Sequence, residues 1–397
     1  MTNFFAANRE RLLVKLSGNL VVLTAYASVQ RSNDIAAPFE QEANFWWLTG
    51  VETPDWWLIM DGTRGKSWLV APVGLDTSSS RYEDALASSG VDGILTLDAG
   101  MQLLRGLSKK HSIVRTLGEQ PRSEYLSFAL NPALRKMHDM LDRIFNTVQD
   151  CRRELAQLRA IKQPEEILRI KKATNITVAA FEHIKEILPE SKYEYEIEAE
   201  LTYYFRTHGT QGNPYDPVIA SGKNASDLQY VANSKKLRKR ELVLIDASVR
   251  SQGYVAGIAR TYCYGGDPTR RQKEVHEALQ QARIQIIALL GPNLPVDQYQ
   301  REVDTIMQDM LMQLGLMSSR SDTTAYRRYF PHAISHGVGV DAHDSLAKPH
   351  FFQPDMVLTV EPGVYIPEEG IGMRLADTVL VTPTGTINLT ARLSTDL

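Results

Sequence analysis

The pattern of apolar and polar residues predicts alternating strands and helices in the first part of the chain. Apolar residues recur at helical spacing over residues 8–16. Short apolar runs bounded by turn residues predict strands at 20–23, 57–60 and 67–70. Further helical patterns cover residues 82–87, 101–107 and 132–157. This alternation is typical of an α/β layer.

The second part of the chain predicts an α+β layout. A long helix begins at Pro164, because Glu165 and Glu166 fill its first turn and apolar residues then recur at helical spacing. The remaining pattern intermixes helices (194–208, 270–290, 296–314) with strands (242–245, 253–264, 356–360, 378–381). We place the boundary between residues 155 and 165, which gives domains of residues 1–160 and 161–397.

Composition and charge narrow the class of protein. A chain of 397 residues with 43% hydrophobic and 23% charged residues is ordinary for a globular protein. The net charge of −3 provides no field that attracts nucleic acid, and no apolar run is long enough to span a membrane. The first sixteen residues lack a signal-peptide pattern, and Cys151 and Cys263 lie far apart. We therefore expect a cytoplasmic protein without disulfides that binds neither nucleic acid nor membrane.

Histidines concentrate in one short segment near the C-terminus. Four of the nine lie within nineteen residues, in text rich in glycine and aspartate: His332, His336, His343 and His350. Imidazole is a common transition-metal ligand and titrates near neutral pH. The segment predicts either a functional cluster or a hydrogen-bonded structural loop.

Two acidic residues end apolar strands. Asp246 ends the run LVLID, and Glu361 ends the run VLTVE. A carboxylate buried at a strand end must be paired or must bind a metal, because desolvating it alone is costly. Arg260 and Arg374 are the candidate salt-bridge partners. Together with the histidines, these acids predict a site for a hard metal ion or its remnant.

Several ordered blocks resemble the aminopeptidase P and prolidase family, whose C-terminal domain has the pita-bread fold. The matching blocks, in the order found in the family, are IKQPEEILRIKKA, VIASGKNA, LVLIDAS, GYVAGIARTY, PHAISHGVGVDAHD, VLTVEPGVYI and GIGMRLADTVLVT. The earlier stretch EANFWWLTGVETPDWWLIM resembles the N-terminal domain of aminopeptidase P. The resemblance implies a pita-bread domain of α+β class, preceded by a smaller α/β domain.

The resemblance also implies a metal centre, which this chain matches only in part. Family enzymes hold two divalent ions, often manganese, with two Asp, one His and two Glu. Asp246, His336 and Glu361 match three of these ligands. The two bridging carboxylates are expected at positions that here hold Gly257 and Ala376. We therefore expect no metal or one weakly bound manganese, cobalt or zinc ion, and no dinuclear site.

Asp377 follows Ala376 directly, but it is a poor substitute for the missing ligand. Successive side chains of a strand point to opposite faces, so Asp377 is predicted to point away from the site.

The residues expected around the substrate are better preserved. His332, His343, Tyr365 and Arg374 match family residues that bind the proline end of the substrate and stabilise the tetrahedral intermediate; with Glu361 they are the candidate catalytic residues. The family has a histidine where this chain has Gln229, and glutamine cannot carry a proton at neutral pH.

Three functions are consistent with this set of residues. The first is a protein that lacks normal metallopeptidase activity and retains a pocket for a peptide with proline at its second position, or for a small molecule. The second is an active Xaa-Pro aminopeptidase that uses one divalent ion. The third is a metal-independent hydrolase resembling creatinase, with His332, His343 and Glu361 in acid–base roles.

An aromatic cluster leaves two structural roles open. It comprises Phe45, Trp46, Trp47, Trp56 and Trp57. These side chains either pack in the core of the N-terminal domain or contribute to a subunit interface. We expect a homodimer.

Overall fold

The computed structural model describes residues 4–118 and 129–397. The chain divides into two compact units, Met1–Leu158 and Arg159–Leu397. Within the described residues, no helix combines the length and apolar character that a membrane span requires. Cys151 and Cys263 are free thiols, one in each unit.

The N-terminal unit is a mixed sheet with surrounding helices. Its six-stranded sheet has the order β6-β5-β4-β1-β7-β8, and β2 and β3 form a separate hairpin. Strand β1 lies inside the sheet, antiparallel to β4 and parallel to β7, and all five of its residues are buried. The described elements are α1 (Phe4–Lys15), β1 (Leu20–Thr24), β2 (Gln30–Ser32), β3 (Ile35–Ala36), α2 (Ala43–Thr49), β4 (Trp57–Asp61), β5 (Lys66–Val70), α3 (Ser80–Ser89), β6 (Gly93–Leu95), α4 (Leu97–Leu107), β7 (Ile113–Thr116), α5 (Ala133–Asp142), β8 (Thr147–Asp150) and α6 (Arg152–Ala160).

One predicted helix of this unit is wrong. A continuous helical pattern was predicted over 132–157, but strand β8 separates α5 from α6. Thr147 and Val148 are β-branched and pair in parallel with Ile113 and Val114 of β7. Pairing with a distant strand therefore outweighs the local helical periodicity.

The aromatic cluster packs inside the N-terminal unit. Phe45 and Trp47 are fully buried, Trp56 is 1% exposed and Trp46 is 6% exposed. Trp57 is half-buried in β4. Phe45, Trp46, Trp47 and Trp56 therefore pack in the core of this unit.

The C-terminal unit combines antiparallel sheets with long helices. The sheets have the orders β11-β10-β9, β12-β15-β16 and β13-β14. Its elements are α7 (Pro164–Ile187), α8 (Glu194–Thr207), β9 (Val218–Ser221), β10 (Leu242–Ser251), β11 (Tyr254–Cys263), α9 (Arg270–Leu289), α10 (Val296–Gln313), α11 (Thr323–Tyr329), β12 (Val357–Val360), β13 (Gly363–Ile366), β14 (Ile371–Arg374), β15 (Asp377–Thr382) and β16 (Gly385–Asn388).

Helix α7 begins where the sequence predicts. Pro164 is its first residue, and the Glu166 carboxylate accepts the backbone N–H of Gln163 at 2.8 Å. The opposite oxygen of Glu166 accepts the Tyr254 hydroxyl at 2.7 Å, which ties the helix to strand β11. One apolar core contains side chains of α7, α8, β10 and β11, and a second contains side chains of α9, α10, β12 and β15.

Strand register brings the candidate residues together. In the β10–β11 pair, Asp246 lies opposite Ala259 and Ser248 lies opposite Gly257. Opposed residues of an antiparallel pair project to the same face, so these four positions share one surface. In the β13–β14 hairpin, Gly363 lies opposite Arg374, which brings Arg374 close to Tyr365.

Candidate functional site

A chain of hydrogen bonds joins Asp246 to His332. Arg374 donates from Nη1 to Asp246 Oδ2 at 2.6 Å and from Nε to the Tyr365 hydroxyl at 2.8 Å. The Tyr365 oxygen lies 2.9 Å from His332 Nε2. The Tyr215 hydroxyl donates to the other oxygen of Asp246 at 2.8 Å. Both carboxylate oxygens of Asp246 therefore have partners within the protein.

The protonation states of His332 and Tyr365 follow from their contacts. His332 Nδ1 lies 2.9 Å from the Ala333 carbonyl, which can only accept, so Nδ1 carries the proton and Nε2 accepts from Tyr365. Burial, followed by the charge of Arg374, lowers the pKa of His332 to about 4. Burial raises the pKa of Tyr365 to about 12. Both side chains are therefore neutral at pH 7.

His336 and Glu361 form a second pair. His336 Nε2 lies 3.0 Å from Glu361 Oε1, and His336 Nδ1 lies 2.9 Å from the Gly337 carbonyl. Burial alone would raise the pKa of Glu361, but the hydrogen bond and charge of His336 outweigh it and lower the pKa to about 2. Burial alone would lower the pKa of His336, but the hydrogen bond and charge of Glu361 outweigh burial, so the pKa of His336 is raised. Each group of the pair therefore favours the charged form of the other.

A tight hairpin places His343 against His336. Gly337 pairs with Asp344, whose N–H donates to the Gly337 carbonyl at 2.9 Å, so the two flanking histidine rings lie 4.2 Å apart between centroids. A Cβ on Gly337 would lie 2.3 Å from the Asp344 carbonyl oxygen, which requires glycine there. Arg159 bonds Asp344 at 2.8 Å and fixes the hairpin to the chain before α7. His350 lies in an exposed segment beyond this hairpin.

The two positions expected to carry bridging carboxylates face the same region. Gly257 lies opposite Ser248, and the Ala376 N–H donates to the carbonyl of Ala259, the residue opposite Asp246. The side chains at these two positions contribute no oxygen. Among residues 4–118 and 129–397, no three His, Cys, Asp or Glu side chains are grouped closely enough to hold a metal ion.

Asp377 points away from this region, as strand alternation predicts. It is fully buried and bonds Arg260 at 2.9 Å, the Thr390 hydroxyl at 2.6 Å, and Arg283. Of the two arginines predicted as partners for the strand-end acids, Arg374 bonds Asp246, whereas Arg260 bonds Asp377.

Gln229 lies exposed in a loop, and its N–H donates to the Asp227 carboxylate at 3.0 Å. Buried Glu194 secures this loop by accepting the Tyr230 hydroxyl at 2.6 Å and the Lys235 N–H at 2.8 Å. Sequence reasoning missed Glu194 and Tyr215. A carboxylate in the first turn of a helix is ordinary, and a tyrosine in a loop gives no signal.

Comparison with known proteins relates the whole chain to one family. Residues 169–383 match the model described as metallopeptidase family M24, and residues 5–114 match the aminopeptidase P N-terminal domain. The Xaa-Pro aminopeptidase of Escherichia coli is 30% identical over 98% of this chain and 94% of its own length. Human Xaa-Pro aminopeptidase 3 is 30% identical over 94% of this chain and 78% of its own length.

Solved structures show the same similarity in three dimensions. Aminopeptidase P from Escherichia coli with the inhibitor Pro-Leu has a TM-score of 0.84 and 28% identity, and the match covers 98% of this chain and 95% of that chain. Proline aminopeptidase P II from Yersinia pestis has a TM-score of 0.84 and 30% identity, with 99% and 97% covered.

Proposed function

Because this chain belongs to metallopeptidase family M24 and carries an aminopeptidase P N-terminal domain, we propose that it is an Xaa-Pro aminopeptidase-like protein that lacks a working dinuclear metal centre. The predicted family and the predicted fold, an α+β pita-bread domain after a smaller α/β domain, are confirmed. The proposal itself concerns activity: the chain does not act as an ordinary metallopeptidase, and its pocket binds a peptide or a small molecule.

The proposal rests on which of the expected metal ligands are present and on what those residues contact. Two divalent ions a few ångströms apart repel each other strongly, and carboxylates between them must offset that repulsion. Gly257 and Ala376 supply none. The Asp246 carboxylate is instead bonded to Arg374 and Tyr215. These residues do not fit a dinuclear centre.

The other proposed ligands also have partners. His336 and Glu361 bond each other at 3.0 Å, so any ion held there would have to replace an existing hydrogen bond. We propose at most one weakly bound manganese, cobalt or zinc ion at Asp246, His336 and Glu361. Binding it would require these side chains to move, because they are not grouped closely enough to hold an ion as they stand.

A set of polar side chains fixed by hydrogen bonds supports a binding role. Arg374, Tyr365 and His332 are fixed relative to one another by hydrogen bonds, and His343 packs against His336. Fixed polar groups of this kind orient a ligand. The names of the relatives indicate Xaa-Pro substrates, so we propose a peptide with proline at its second position as the first ligand to test. We further propose a cytoplasmic homodimer.

The test is hydrolysis of an Xaa-Pro peptide with added manganese, cobalt or zinc. We expect no hydrolysis by the native chain and hydrolysis by the triple variant Gly257→Asp, Ala376→Glu, Gln229→His. The matched control is Gly257→Asn, Ala376→Gln, Gln229→His, which has nearly the same shape but lacks the two negative charges.

Native activity that a chelator abolishes would contradict the proposal in favour of a single-ion peptidase. Native activity that persists with chelator would favour a metal-independent hydrolase. The Gly257→Asp substitution must also move the Tyr215 hydroxyl slightly, because a Cβ at position 257 would lie 3.2 Å from the Tyr215 oxygen.

A further inference from the structure

Ser248 is a buried polar residue of the site region that the sequence analysis did not single out. It lies on β10, two residues after Asp246 and on the same face. Its partner across the β10–β11 pair is Gly257, one of the two positions without the expected carboxylate. Ser248 thus borders the space that a side chain at 257 would take.

The Ser248 hydroxyl has an unmet hydrogen-bonding requirement. The residue is fully buried, and its Oγ has no hydrogen-bond partner among the described residues. Leaving a buried hydroxyl without a partner destabilises the fold, because its hydrogen bonds to water are lost and not replaced. Such a group in a native protein needs an explanation, and a bound water or ligand atom is one that the surroundings of Ser248 support.

Two hydroxyls face the same point. A Cβ on Gly257 would lie 3.2 Å from the Tyr215 oxygen and 3.7 Å from Ser248 Oγ. An oxygen cannot occupy that point itself, which is one bond length from Gly257 Cα, but both hydroxyls border the space just beyond it. A water or ligand oxygen bonded to both would have the two polar partners that an ordered buried water requires as a minimum.

The two partners select the chemistry of the bound group. The Tyr215 hydrogen is donated to Asp246, so the Tyr215 oxygen can only accept from a further group. Ser248 can donate or accept. A carboxylate cannot donate to Tyr215 and would also approach the carboxylate of Asp246. A hydroxyl can donate to Tyr215 and accept from Ser248.

We propose that Ser248 and Tyr215 form a hydroxyl-binding niche beside Gly257, filled by water in the free protein and by a hydroxyl of the ligand in the complex. The niche rests on the proposed function, because a metal ion held by a carboxylate at this point would exclude it. It extends that function by naming a class of ligand, a hydroxyl-bearing molecule.

The test is a high-resolution crystal structure of the full chain, alone and soaked in 1,2-ethanediol as the hydroxyl probe. We expect a density peak within about 3 Å of both Ser248 Oγ and the Tyr215 oxygen. In the soaked crystal a diol hydroxyl should replace it. The variant Gly257→Ala should remove the peak, whereas Ser251→Ala, a buried serine on the same strand, should keep it.

Three outcomes would overturn the niche. The niche has no basis if the Ser248 hydroxyl bonds a backbone carbonyl and no density peak lies beside Gly257. If a water occupies the niche and the diol never displaces it, the proposal that a ligand hydroxyl binds there is wrong. An anomalous signal from a metal ion at that point overturns the niche. Only a second ion at the same site would also contradict the proposed function, so the two failures are distinguishable. The native crystal decides the question even if the variants fold poorly.

Discussion

Replacing Asp377 with asparagine tests whether this acid is a structural residue and not a substitute metal ligand. Asp377 is fully buried and faces Arg260, which is also buried, and Arg283. The substitution Asp377→Asn would keep the shape of the side chain but leave two guanidinium groups without their counterion. Breaking a buried ion pair by removing one partner typically costs about 3–5 kcal/mol.

The pKa of Asp377 gives a second estimate of the same cost. Burial would raise this pKa, but the charges of Arg260 and Arg283 outweigh it and lower the pKa to about 2, from an ordinary value of 3.8. That difference corresponds to about 2.5 kcal/mol of stabilisation of the ionised form. We therefore expect Asp377→Asn to lower the free energy of unfolding by about 3 kcal/mol at pH 7.

The pH dependence has a definite sign. Because the folded pKa lies below the unfolded pKa, the stabilisation is complete above about pH 4 and is lost as the pH falls toward 2. The difference between native and variant chains should therefore shrink on acidification.

Urea unfolding followed by far-UV circular dichroism, at pH 7 and at successively lower pH, measures this difference. The control is Asp297→Asn, which breaks an exposed pair with Arg301 on α10 and should change stability far less, because water screens that pair. A cost below about 1 kcal/mol for Asp377→Asn, or a cost that does not fall with pH, would refute the reasoning.

Three further predictions concern other parts of the molecule. In ¹⁵N NMR at pH 6, His332 should be neutral with its proton on Nδ1. Arg374→Met should raise the pKa of His332, because the positive charge of Arg374 lowers it. A native His332 pKa near 6.5 would contradict the hydrogen-bonded chain. Trp47→Ala should cost about 3–5 kcal/mol by urea unfolding, because the side chain is fully buried; a cost under about 1 kcal/mol would contradict a core role. Glu194→Gln should speed amide exchange at Lys235, whose N–H it accepts, and unchanged exchange would contradict its role in holding the loop.

Local signals in the sequence identified several elements and the environment of three carboxylates. Helix α7 was predictable because Pro164, Glu165 and Glu166 form a typical helix start. That Asp246 and Glu361 have partners was predictable because each follows an apolar run, where a carboxylate needs one. The outward direction of Asp377 followed from strand alternation alone.

Features that depend on distant contacts were not predictable. Strand β8 exists because Thr147 pairs with Ile113, a contact that no local periodicity encodes. The choice of Arg374 over Arg260 as the partner of Asp246 depends on how β14 lies against β10 and β11. The Tyr215 hydroxyl reaches Asp246 from a loop 31 residues earlier in the chain. The roles proposed for the site residues, and the predicted homodimer, stay predictions.

The most direct test of the central claim is the number of metal ions bound per chain. Purified protein is dialysed against manganese, cobalt or zinc, and the metal in the protein chamber is measured by mass spectrometry with a metal-free buffer control. We predict at most one weakly bound ion per native chain and two per chain after Gly257→Asp with Ala376→Glu. Two ions bound tightly to the native chain would show that Asp246, His336 and Glu361 suffice, and would contradict the loss of the dinuclear centre.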